Sequence, residues 1–291
     1  MILITAFQQN PIFFYFSVAI LGLLIGSFLN VVIYRLPIMM EKEWSKECRL
    51  LLEIDDTEET SEESFNLVFP GSTCPHCKHK ISALENIPVI SYLFLKGRCR
   101  ECKEKISIRY PLVELTSSIL SVMVAIHFGV TYQFLLAMVF TWSLLVMSLI
   151  DYDHKIIPDD ISLPLLWAGI IANMFAMFTD IESSLYGAIF GYLSLWTVYI
   201  LFKLLTGKEG MGFGDFKLLA MLGAWLGWQF LPLIIIASSL FGTIVGGGLV
   251  LFKSHDRAHP IPFGPYLALA GFISLLYGQE LINFYLNWAL T

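Results

Sequence analysis

Two kinds of residue in this chain carry chemistry: aspartates at the edges of apolar stretches, and cysteines in close pairs. Asp215 follows Gly212-Phe213-Gly214 at the entrance to an apolar run, and Asp151 closes the apolar run Tyr132–Ile150. An acidic side chain at a membrane boundary is costly, so each of these calls for a partner or a task. Two carboxylates that meet cannot both ionise cheaply; the ionised one can deprotonate a water while the protonated one polarises an amide carbonyl. That is acid–base hydrolysis without a covalent intermediate. Gly212 and Gly214 would let the backbone approach a substrate strand closely. Asp153, Asp159 and Asp160 compete for the same role. Asp159 and Asp160 follow Pro158 and precede an apolar run, where helix capping accounts for them. Periodicity does not separate Asp151 from Asp153.

The cysteines form a second constellation. Cys74-Pro75-His76-Cys77 and Cys99-Arg100-Glu101-Cys102 are two Cys-x-x-Cys pairs with 21 residues between them. Four thiolates in two tight knuckles can surround one tetrahedral Zn²⁺, and a closed four-sulfur site leaves no position for water, so such a metal is structural. Disulfides are the alternative, disfavoured in a reducing cytosolic loop. With four cysteines at hand, His76 and His79 read as surface histidines, and Cys48 is assigned no role.

The rest of the chain must position these groups. With 291 residues, 56% hydrophobic, 14% charged and a mean hydropathy of +0.70, it reads as an all-α polytopic membrane protein. Of its 18 Lys+Arg, 12 fall between Arg35 and Arg109, with 13 of its 24 Asp+Glu. This asymmetry predicts three parts: a first transmembrane helix in 1–34, a soluble loop with the four cysteines in 35–110, and a transmembrane core in 111–291. About eight spans are expected. They are Pro11–Tyr34, Leu112–Phe128, Tyr132–Ile150, Ile161–Phe178, Leu185–Leu205, a shorter helix from Asp215 to about Trp228, Phe230–Phe252 and Phe263–Tyr277. Leu281–Leu290 is expected along the interface.

Smaller signals complete the picture. No charged residue precedes Arg35, so a cleavable signal peptide is not expected and the first segment is retained. Asn30 and the Gly26-Ser27 pair read as helix–helix contacts. Glu41–Ser64 reads as a charge-dense surface stretch, and Glu114, after Pro111, as a capping residue. The net charge of −6, without a basic stripe, gives no sign of a nucleic-acid partner. If the spans alternate, Arg35 to Arg109, Lys155, Lys203, Lys208, Lys217, Lys253 and Arg257 share one side, the cytosol. The N-terminus is then outside, and Asp151 and Asp215 both reach the cytosolic boundary. A proton or ion relay is the competing reading of the pair, but no internal repeat supports a transporter and it gives no reason for a zinc knuckle.

The ordered motifs give the chain a family resemblance. They are Gly26-Ser27-Phe28-Leu29-Asn30-Val31-Val32, the two Cys-x-x-Cys pairs around Glu85-Asn86-Ile87-Pro88, Arg109-Tyr110-Pro111-Leu112-Val113-Glu114, Ile150-Asp151-Tyr152-Asp153, Gly207 through Lys217, and Pro262-Phe263-Gly264-Pro265. In these the chain, from about Gly26 to Gly271, closely resembles the bacterial type IV prepilin peptidases, bifunctional aspartic proteases and N-methyltransferases of the inner membrane. The resemblance implies removal of a short basic leader from prepilins or pseudopilins, just after a glycine and on the cytosolic side. S-adenosylmethionine-dependent methylation of the new N-terminal residue follows. It also implies that Asp151, rather than Asp153, and Asp215 are catalytic, that Cys74, Cys77, Cys99 and Cys102 bind zinc, and that methylation is linked to the cysteine loop. Gly97 there matches a family glycine, and Arg98 stands where some relatives have lysine. No Gly-x-Gly-x-x-Gly fingerprint locates the methyl-donor site.

Overall fold

A computed structural model describes residues 2–53, 65–251 and 262–290, and among them there is no β-strand. Part of the charge-dense stretch, 54–64, and also Phe252, Lys253 and Arg257 lie outside the described residues. The chain forms two compact units, Met1–Phe134 and Leu135–Thr291.

The first unit is built on α1 (Ile2–Gln9), α2 (Pro11–Leu51), the short α3 (Ile90–Phe94) and α4 (Arg109–Phe128). Asn10 caps α2, its side chain accepting from the Phe13 N–H at 3.2 Å, and Pro11 occupies the first helical position, where no N–H is needed. α2 then runs for 41 residues, past the expected end at Tyr34 and through Pro37. Charge marks where an apolar stretch stops, not where a helix stops; Glu41 to Arg49 is rich in Glu, Lys and Arg, which favour helix. Arg35 is buried, donating to the carbonyls of Asn66 at 2.8 Å and Pro70 at 2.6 Å, which ties the return of the loop to α2.

α2 and α4 pack through small residues. A Cβ added at Gly22 would stand 2.7 Å from the Ser118 Cα, and one at Gly26 2.7 Å from the Glu114 Cα, so the two backbones meet only because these positions are glycine. Ser117 and Ser118 donate across the seam to the carbonyls of Gly22 at 2.8 Å and Ala19 at 2.9 Å. The expected contact role of Asn30 also holds, its Nδ2 donating to the Tyr110 carbonyl at 3.1 Å.

The second unit contains α5 (Tyr132–His154, from Leu135 onwards), α6 (Asp159–Asn173), α7 (Ile181–Thr206), α8 (Phe213–Leu226), α9 (Leu231–Leu251) and α10 (Gly264–Leu290). α8 is its centre. Eleven of its 14 residues are buried, which its uninterrupted apolar sequence after Lys217 demands. Against α7 the packing again rests on glycines: a Cβ at Gly187 would run into the Gly223 carbonyl, and one at Gly191 would lie 2.6 Å from the Leu219 carbonyl oxygen. On the α6 side, the Trp225 indole donates to the Leu165 carbonyl at 2.7 Å, and its ring lies 4.8 Å from that of Phe140 on α5. Asn173 secures the far end of α8. Its amide donates to the carbonyls of Ala224 and Trp225, while its oxygen accepts from the N–H groups of Phe178 and Thr179.

Among the described residues, six helices, with Pro11–Leu51 the first and Gly264–Ala289 the last, are long and apolar enough to cross a bilayer. The multi-pass, all-α reading therefore stands. The other two expected spans correspond to α6 and α8, of 15 and 14 residues. At about 1.5 Å per residue they are roughly 21–22 Å long, short of a hydrocarbon core of about 30 Å. Leu281–Leu290 continues α10, since no Gly or Pro after Gly278 interrupts the helix.

Candidate active site and metal centre

Asp151 is in the last turn of α5, and Asp215 in the first turn of α8, after Gly212, which takes the N-cap position in an extended conformation. Both side chains are buried, at 5% and 8% exposure. The helix ends that carry them are drawn together at Ile157, which packs against Gly214 beside Asp215 and against Gly264 beside Asp151. Asp151 also meets the start of α10: its Oδ2 accepts the Gly264 N–H at 3.0 Å. The first N–H groups of a helix have no partner within it and carry the positive end of its dipole, so this amide is available to a carboxylate. Each aspartate thus stands at a helix N-terminus, Asp151 at that of α10 and Asp215 at that of α8.

Ile157, buried in the link between α5 and α6, packs against the entrances of both α8 and α10. A Cβ at Gly214 would lie 3.0 Å from its Cβ, and one at Gly264 3.1 Å from its Cδ1 and 2.7 Å from Asp151 Oδ2. Close approach therefore favours glycine at both positions, and at 264 a side chain would displace the Asp151 carboxylate. The α8 entrance is held from the other side by aromatic packing of Phe213 and Phe216 on Tyr199 of α7. Glu209, in the loop leading to Gly212, accepts from Lys203 at 2.8 Å and from the Tyr199 hydroxyl at 3.2 Å.

The competing acids are not buried with this pair. Asp153 is exposed one turn-edge away on α5. Asp159 and Asp160 occupy the first turn of α6, and Asp159 pairs with Lys217 at 2.6 Å. Neither aspartate caps α6, whose N-cap is Pro158 with no side-chain hydrogen bond; both lie within its first turn, where the helix dipole favours a negative charge. Gly264, in contrast, entered the sequence reading only as part of a family motif. A glycine next to a proline at the entrance to an apolar helix is the one signal that an amide there faces a buried group.

The four cysteines converge as their spacing predicts. All four sulfurs lie within 4.8 Å of one another, with Cys74 and Cys102 3.8 Å apart and Cys77 and Cys99 3.9 Å apart. A tetrahedral ion with metal–sulfur bonds of about 2.3 Å sets its ligands about 3.8 Å apart, so the donor set fits. The two knuckles repeat one pattern. In the first, Cys74 N–H donates to the His79 carbonyl and Lys78 N–H to that of Cys74; in the second, Cys99 and Lys103 do the same with Glu104 and Cys99. Lys78 and Lys103 both take positive φ, 60° and 59°, to close the turns.

The electrostatics of the sulfurs call for a cation. Backbone N–H groups of Cys77 and His76 bring the Cys74 thiol down to about 6. At Cys102, the Glu104 N–H pulls the same way, yet burial and the neighbouring sulfurs push the thiol up to about 12. Four thiolates cannot coexist here unless positive charge joins them. Glu85 links the knuckles, its carboxylate touching His79 of the first at 3.3 Å and Arg100 of the second at 3.7 Å. The Ser82 N–H and hydroxyl hold its carboxyl down to about 2. His79 is therefore a partner of Glu85.

Gly97 and Glu114 complete the loop. Gly97 has φ +67°, and a Cβ there would stand 2.9 Å from the Tyr92 ring, so conformation and space both require glycine. Glu114 does not cap α4. The helix starts at Arg109, leaving Glu114 beyond its first turn, and its Oε2 instead accepts the Val89 N–H at 2.7 Å.

Comparison with known proteins follows the same two-part division. Residues 20–128 match the family described as the bacterial peptidase A24 N-terminal domain, and residues 138–247 the type IV leader peptidase family. The prepilin leader peptidase/N-methyltransferase of Stutzerimonas stutzeri is 54% identical over 281 residues, covering 97% of this chain and 96% of the relative. That of Pseudomonas aeruginosa is 54% identical with the same coverage. The Legionella pneumophila protein of the same name is 42% identical over 278 residues, with 96% of each chain covered. No solved structure matches the chain. Full-length similarity of this degree, joined to both family matches, means that the chain belongs to the type IV leader peptidase family.

Proposed function

We infer that this chain removes the leader peptide from type IV prepilins and pseudopilins and then N-methylates the new N-terminal residue. Membership of the family whose members bear the name prepilin leader peptidase/N-methyltransferase supports both activities. The observation that carries the first is the burial of Asp151 and Asp215 at helix ends that both pack on Ile157, with Asp151 held by the Gly264 amide. One carboxylate takes a proton from water as the water oxygen bonds to the scissile carbonyl carbon. The other, protonated, first hydrogen-bonds to that carbonyl, and a proton is then delivered to the departing amine as the C–N bond breaks. The Gly264 N–H orients Asp151 throughout. Cleavage falls after a glycine at the cytosolic membrane face, an assignment supported by the sequence distribution of basic residues.

The four-sulfur site holds zinc, through Cys74, Cys77, Cys99 and Cys102. The ion supplies a structural cross-link between the two knuckles, and its closed coordination gives it no part in hydrolysis. S-adenosylmethionine is the methyl donor as co-substrate, and the loop of 35–110 serves that second activity while 111–291 forms the peptidase core. The membrane is the bacterial inner membrane, with the N-terminus outside.

Incubation of the full chain in lipid vesicles with a prepilin and S-adenosylmethionine tests the function. Mass spectrometry should find a leader-free pilin bearing one N-terminal methyl group. An uncleaved prepilin with correctly folded, metal-loaded protein would overturn the reading.

A further inference from the structure

The contact between Glu114 and Val89 carries a consequence for the cysteine loop. α4 has 20 residues, which at about 1.5 Å each is just the roughly 30 Å that a bilayer core requires. Glu114 lies five residues into it, about 7.5 Å along the axis. Its carboxylate, also bonded by the Ser27 hydroxyl, accepts the Val89 N–H at 2.7 Å, so the start of α3 is held beside the second turn of a spanning helix. Val89 has φ +60°, a conformation that a β-branched residue adopts only when its surroundings impose it. Irregular backbone at such depth is tolerated only where its polar groups have partners inside the protein, and Glu114 supplies this one.

The surface that follows is apolar. Leu93 is 67% and Phe94 84% exposed, and Leu84, whose carbonyl accepts from the Ser91 hydroxyl of α3, is exposed as well. Lys96, Arg98 and Lys105, all exposed, come immediately after, with Arg98 and Lys105 paired backbone to backbone. Apolar side chains at membrane level with bases at their edge have the chemistry of an interfacial anchor on anionic lipid.

We propose that α3 is such an anchor: Leu93 and Phe94 enter the lipid at the headgroup–acyl boundary, Lys96, Arg98 and Lys105 face lipid phosphates, and Glu114 fixes the depth. The metal knuckles are thereby docked on the membrane surface instead of hanging free from it. This rests on the multi-pass fold and not on the assignment of the aspartates.

The test is photo-crosslinking. A benzophenone amino acid replaces Phe94 in the full chain, and in a second protein it replaces Arg100 on the knuckle, each reconstituted in phosphatidylethanolamine–phosphatidylglycerol vesicles. Phe94 is already exposed and aromatic, so the fold is retained, and bound metal checks this. On irradiation, position 94 should yield lipid adducts several-fold above position 100. Equal or absent lipid labelling at 94, or crosslinking there to a second copy of the chain, would overturn the proposal.

Discussion

Gly264→Ala tests the geometry around Asp151 at a single methyl group. The new Cβ would stand 2.7 Å from Oδ2 and 3.1 Å from Cγ of Asp151, and 3.1 Å from Ile157 Cδ1. An ordinary C···O approach is about 3.3 Å, so the carboxylate must withdraw by about 0.6 Å or the start of α10 must shift by as much. Neither movement is free, because Ile157 blocks the same space. The backbone itself is not strained by the change: Gly264 is absent from the positive-φ residues, and Ala favours helix over Gly by about 1 kcal/mol. The protein should therefore fold and insert normally. Misplacing a catalytic group by about 1 Å costs on the order of 10²-fold in rate, so a smaller displacement should slow leader removal by roughly 10- to 100-fold. The assay is the initial rate of prepilin cleavage in vesicles, with N-methylation of an already cleaved pilin measured alongside. Gly247→Ala, where a Cβ meets open space, serves as the control and should cleave normally. Cleavage by Gly264→Ala at the wild-type rate would refute the role given to this contact.

Other consequences are equally direct. Cys74→Ser should lose the bound metal, from one ion per chain by elemental analysis to almost none, and expose the loop to limited proteolysis. It should impair methylation more than cleavage. Asn173→Leu removes partners from two carbonyls and two N–H groups in a buried position; at about 1–3 kcal/mol per unsatisfied group, a loss of about 3 kcal/mol or more is expected as a lower midpoint of thermal unfolding in detergent. Asp159→Asn breaks only a half-exposed ion pair with Lys217, worth about 1 kcal/mol or less, and should leave the cleavage rate near wild type.

The parts of this structure written plainly in the sequence are those set by hydropathy and by thiol spacing. Tyr132–Ile150 announces α5, and two Cys-x-x-Cys pairs announce a four-sulfur site, because each depends on residues near one another in the chain. The end of α2 was not legible, since the polar residues after Arg35 favour helix as strongly as the apolar ones before it. Nor was the centrality of α8. Its sequence says that it is apolar, but only the glycines of α7, 28 to 36 residues before the α8 residues they meet, reveal how closely it is enclosed. The partners of Asp151 and Glu114 were hidden for the same reason: both are backbone N–H groups, at Gly264 and Val89, and a backbone amide carries no signature in the residue that bears it. Asp151 and Asp153 differ by two positions on one helix, and burial separates them only once the start of α10 is in place.

The central claim is that Asp151 and Asp215 together perform the cleavage. Its most direct test is leader removal from a prepilin by Asp151→Asn, Asp215→Asn and Asp153→Asn in vesicles, with N-terminal methylation of an already cleaved pilin read by mass spectrometry on the same samples. The account predicts that the first two variants fail to cleave yet still methylate, while Asp153→Asn does both. Normal cleavage by Asp151→Asn or Asp215→Asn would contradict it.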